Sequence, residues 1–67
     1  MEWHVIRFPA DVPADRDVRL AVIKAGEVHS LVFPCRRIGQ DYVDAKTKRL
    51  AEVYPTHWQE WVQQDAQ

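Results

Sequence analysis

Two runs of alternating side chains meet at Ala25-Gly26, and that junction constrains the chain more than any other feature. In the first run Val18, Leu20 and Val22 alternate with Arg19, Ala21 and Ile23, the period-two pattern of a strand with one face fully buried and the other partly so. In the second run, residues 27–37, Val28, Ser30 and Val32 fall on one side and His29, Leu31, Phe33 and Cys35 on the other. Gly26 can take positive φ, as a tight turn between such strands requires. The pattern predicts a β-hairpin, and with it an antiparallel domain. Pro34 cannot donate to a ladder, so the second strand bends or lies at an edge there.

The remaining signals extend the sheet. Residues 3–8 are aromatic and β-branched and stop at Pro9, which predicts a short edge strand. Residues 9–17 hold two Pro and three Asp and read as a surface loop. A turn at residues 38–41, a short strand at 42–45, a polar loop at 46–48 and a last strand at 49–54 complete a meander. After Pro55 the period changes. Thr56 with Gln59 has the form of a capping box, and Trp58, Trp61 and Val62 recur at helical spacing. This predicts a short C-terminal helix lying on the sheet, with residues 63–67 fraying. The expected fold is mainly β: a small antiparallel meander of four to five strands, curved or partly closed, with that one helix.

Composition sets the scale. With 67 residues the chain forms one small domain, 1–67. A chain this short buries only about 60% of its unfolded surface, so each large apolar residue matters. A single Cys excludes an internal disulfide and favours a reducing compartment. Met1-Glu2-Trp3-His4 has neither the basic nor the apolar region of a secretory signal, and no apolar run approaches the roughly 20 residues that cross a bilayer. These features imply a cytoplasmic protein without a membrane partner. The net charge of −1 gives no global field toward nucleic acid, so any such binding is local.

Candidate chemistry is sparse. His4, His29, His57 and Cys35 include zinc-ligating residue types, yet no two of them lie within five positions, unlike the close pairs of structural zinc sites. Cys35 beside an imidazole would be an activated nucleophile, but nothing in the sequence supplies an oxyanion hole, and a small buried hydrophobe beside Phe33 is the simpler role. Neither a catalytic set, a metal set nor a cofactor site is therefore assigned. Arg36 and Arg37, with Lys46, Lys48 and Arg49 on the following loop and strand and Tyr42 between, make the nearest approach to a basic, base-stacking patch. Asp41, Asp44 and Glu52 dilute it, as in a solvated edge. Trp3, Tyr54, Trp58 and Trp61 are candidates for the core or for a peptide groove.

The segments Phe33-Pro34-Cys35-Arg36-Arg37, Tyr42-Val43-Asp44-Ala45 and Pro55-Thr56-His57-Trp58-Gln59-Glu60-Trp61 resemble a group of short, uncharacterised bacterial proteins with an FPCRR…VDA…PTHW…W pattern. The resemblance covers the C-terminal half to two-thirds of the chain and implies a bacterial origin. It carries no functional residue with it. The sequence thus points first to a non-catalytic module that presents a sheet face or edge to a protein partner. Second comes a nucleic-acid-binding module using the Arg/Lys patch, and third a thiol- or metal-dependent enzyme. A homodimer through an exposed edge or the tryptophan segment is compatible with a domain lacking staples.

Overall fold

The computed structural model describes residues 2–62, so the fraying expected of residues 63–67 lies outside it. Its elements are β1 (His4–Val5), a 3-10 turn (Pro9–Asp11), β2 (Val18–Lys24), β3 (Glu27–Ser30), β4 (Cys35–Ile38), β5 (Asp41–Asp44) and β6 (His57–Glu60). All pairings are antiparallel. They form one open sheet in the order β1-β6-β2-β4-β5, with β3 also paired to β2.

The hairpin at Ala25-Gly26 is present, with Lys24 opposite Glu27 and Ala21 opposite Ser30. Both turn residues have positive φ, Ala25 at 53° and Gly26 at 82°, the type I′ pattern that matches strand twist. The second strand breaks where Pro34 indicated a bend. Leu31 N–H still donates to Leu20 O at 3.0 Å, but Val18 then faces Cys35, so Arg19 alone spans the stretch opposite residues 32–34. This bulge divides the expected strand 27–37 into β3 and β4. The β4–β5 hairpin turns at Gly39, φ 63°.

Three sequence expectations are corrected. The antiparallel sheet is present, with six strands instead of four to five, but it is open and its order is not that of a simple meander, because β6 inserts between β1 and β2. The strand expected at 49–54 shrinks to one bridge, Leu50 with Val43, because Val53 N–H turns back to Ala51 O at 2.9 Å and Pro55 follows. The C-terminal helix is replaced by β6. Thr56 does not cap a helix. Its hydroxyl accepts the Ile23 N–H of β2 at 2.8 Å, and its own N–H donates to Ala21 O at 2.9 Å. As a strand, the segment sends Trp58 and Trp61 to opposite faces, whereas helical spacing would have put them on one. Trp58 lies with Leu20 on the core side, and Trp61 lies with Arg19 on the other.

The core sits on one side of the sheet: Val12, Val18, Leu20, Cys35 and Tyr42, with Ile6, Leu31, Phe33, Ala51 and Trp58 packed around them. Val12 comes from the 9–17 segment, which read as a surface loop but plugs the core. Arg37 holds it there, Nε donating to Val12 O at 2.7 Å. Upstream, the Asp11 carboxylate accepts the N–H groups of Arg7 at 2.8 Å and Phe8 at 3.1 Å, and these bonds hold its pKa below the usual carboxylate value.

Candidate functional site

A wide concavity lies where three segments converge: residues 6–9 after β1, Gln40 to Tyr42 at the β4–β5 turn, and residues 50–55 before β6. Its volume is about 720 Å³. The walls are mainly apolar, with Phe8, Pro9, Leu50, Tyr54 and Pro55 prominent, and Arg7, Asp41 and Glu52 are the charged residues among the lining. Phe8 and Tyr54 each precede a proline, and a residue before proline is held extended. Phe8-Pro9 ends the β1 segment and Tyr54-Pro55 ends the segment leading to β6, so chain directions set by proline bring both aromatics to one groove. The aromatic–proline pair alone does not single the groove out in the sequence, because a third such pair, Phe33-Pro34, lies outside it. Of the aromatics considered from the sequence, Tyr54 and Tyr42 line it, while Trp3, Trp58 and Trp61 do not, and Phe8 joins them.

The basic set is divided by the fold. Arg36 is exposed and pairs with Asp17, Nε to Oδ1 at 2.8 Å. Arg37 is committed to backbone, donating to Val12 O and to Gly39 O. Tyr42 is 8% exposed and packs in the core, so its ring offers no stacking face. Burial raises its phenol pKa, the neighbouring Arg37 opposing that shift and Asp11 adding to it. Lys46, Lys48 and Arg49 stay exposed on the loop after β5. That loop is ordered by Asp44, whose carboxylate accepts Lys46 N–H at 2.7 Å and Thr47 N–H at 3.2 Å, while Lys48 takes φ 65°. A cation–aromatic pair not considered from the sequence, Arg19 over Trp61 at 4.4 Å, lies elsewhere, on the face of β2 and β6 away from the core.

Cys35 is fully buried, and its Sγ donates weakly to Phe33 O at 3.8 Å. Burial, with the Asp44 charge adding to it, pushes its pKa up to about 11, which keeps the thiol protonated. The histidines are engaged elsewhere: His29 with Glu27 at 3.3 Å, His57 Nδ1 with the Thr56 hydroxyl at 2.7 Å, and His4 against Trp58 with ring centres 4.7 Å apart. Among the described residues no three His, Cys, Asp or Glu side chains cluster in a way that could hold a metal ion, and no helix is long and apolar enough to cross a membrane. Compared with protein families, with curated proteins and with solved structures, the chain matches none.

Proposed function

We propose that this chain is a non-catalytic interaction module that receives an extended, proline-containing segment of a protein partner in the groove bounded by Phe8-Pro9 and Tyr54-Pro55. The observation that carries the reading is the exposure of those two aromatics, 67% for Phe8 and 94% for Tyr54, where all the other Trp, Tyr and Phe are buried or half-buried. Aromatic and proline walls suit a polyproline II segment, whose conformation is already restricted and loses little entropy on binding. Asp41 and Glu52 outnumber Arg7 on the lining, which favours a segment carrying a basic residue. The cytoplasm of a bacterium remains the setting of this proposal.

A second reading, a nucleic-acid-binding module, retains one observation in its favour: Lys46, Lys48 and Arg49 share a loop and enter none of the ion pairs among the described residues. Amide NMR of labelled protein separates the two. Titration with proline-rich peptides bearing Arg or Lys is expected to shift residues 6–8, 41 and 50–54, and Tyr54→Ala to abolish the shifts. No shifts with such peptides, together with salt-sensitive shifts at Lys46, Lys48 and Arg49 on adding a mixed-sequence oligonucleotide, would replace the first reading by the second.

A further inference from the structure

We propose that the concavity between the outer face of β2 and the loop after β5 binds a small organic phosphate, with Arg19 and Lys46 holding the phosphate group and Pro34, Trp61 and Val62 receiving the apolar part. It shares no residue with the Phe8–Tyr54 groove and does not rest on that reading. Hydrogen bonds between distant segments build it. Ala45 N–H donates to Pro34 O at 2.9 Å, which brings the loop after β5 against the bulge opposite Arg19. The Asp44 carboxylate accepts the Lys46 N–H at 2.7 Å and fixes the next residue of that loop. On the other side Trp61 N–H donates to Asp17 O at 3.3 Å, and the Arg19 guanidinium lies over the Trp61 ring, 4.4 Å from its centre.

The charges around this concavity leave donors unspent. Asp17 precedes Val18, and Glu60 faces Val18 across the sheet, so both carboxylates flank Arg19 in the register. Each already has a partner: Glu60 takes Arg16 at 2.8 Å and Asp17 takes Arg36 at 2.8 Å. Arg19 and Lys46 enter none of the ion pairs among the described residues. Contact with Trp61 holds the Arg19 guanidinium in place without giving its N–H groups an acceptor. A guanidinium offers paired N–H donors to an oxyanion, and an ammonium adds a point charge. Asp17, Arg19 and Lys46 are the charged residues of the lining, and since Asp17 is neutralised by Arg36, the two cations set its sign. Two positive charges suit a phosphate monoester, which carries close to two negative charges at neutral pH, better than a carboxylate with one. The volume, about 490 Å³, is that of a small-molecule site and exceeds what a bare phosphate fills. Pro34, Trp61 and Val62 give the remainder of such a ligand an apolar wall.

Amide and indole NMR of the full labelled chain, titrated with phenyl phosphate at low salt, tests this. The expected result is saturable shifts at Arg19, Lys46 and the Trp61 indole N–H. Binding is expected to be about tenfold weaker for inorganic phosphate, which lacks the apolar part, and for benzoate, which carries a single charge. Lys46→Gln, at an exposed position whose backbone N–H keeps its bond to Asp44, is expected to weaken phenyl phosphate about tenfold with the rest of the spectrum unchanged. Arg19→Gln is expected to weaken it at least as much. Lys48→Gln, the same change of charge on the same loop, is expected to leave binding unchanged. Shifts that do not saturate by ~10 mM, benzoate or bare phosphate binding as tightly as phenyl phosphate, or a Lys46→Gln variant that binds like the wild type or like Lys48→Gln would overturn the proposal. So would an oligonucleotide that shifts Lys48 and Arg49 while phenyl phosphate shifts nothing, the outcome that belongs to the nucleic-acid reading.

Discussion

The two faces of β2 differ less in residue type than in what lies over them. Val18 and Leu20 on the inner face are fully buried under Val12, Cys35 and Tyr42. On the outer face Arg19 and Ile23 stay partly exposed, and Ala21 is buried only because it is small and flanked by its neighbours in the sheet. One strand therefore carries both a core and an uncovered surface. What separates them is the 9–17 segment, which crosses one side and brings Val12 with it. Stability in so small a sheet is concentrated on the covered side, where apolar burial amounts to about 1.5–3 kcal/mol per large side chain.

That contrast can be broken by substitution. Leu20→Ala should lose about 3 kcal/mol in urea unfolding, a large share of the total for a small domain; a loss below about 1 kcal/mol would mean the inner face is no better packed than the outer. Cys35 tests the same side through pH. Its folded pKa of about 11 exceeds the 9.0 of a free thiol, so its contribution is intact below pH 9 and disappears as pH rises toward 11. The wild type should lose on the order of 2 kcal/mol more than Cys35→Ala across that window, measured as the difference in urea midpoints. Thr56→Val removes the acceptor of the Ile23 N–H at the edge of β2 and should lower stability by about 1 kcal/mol. At the tip of the same hairpin, Ala25→Asn eases a left-handed backbone and should raise the melting midpoint by a gain of about 0.5 kcal/mol. Ser30→Ala, on the outer face, should change monomer stability by less than about 0.5 kcal/mol.

The parts of the fold readable from sequence were those set by local chemistry. Alternation and the Ala25-Gly26 turn locate the β2–β3 hairpin, Pro34 locates its break, and Gly39 the next turn. The C-terminal segment misled because its evidence was periodicity over seven residues, too few to separate helix from strand. Long-range pairing with both β1 and β2 makes it a strand. Val12 was missed because one apolar residue among prolines and aspartates gives no period. For the sites, sequence placed five cations and a tyrosine near one another, but could not see that Arg37 and Tyr42 are consumed in holding the loop and filling the core. Two of the three aromatic–proline pairs line the groove, and which of them meet is set by tertiary structure that the sequence does not show.

The position of β6 bears on how the molecule comes into being. A polypeptide made N-terminus first has β1 and β2 in place before the strand that joins them, since His4 pairs with Trp58 and Val18 with Glu60. The β2–β3 and β4–β5 hairpins can form early, but β1 has no neighbour until β6 arrives. Contacts this distant along the chain favour slow folding, in milliseconds to seconds rather than microseconds. Until β6 pairs there, the β6 edge of β2 is an unpaired strand edge, the kind of surface on which a folding chain mispairs.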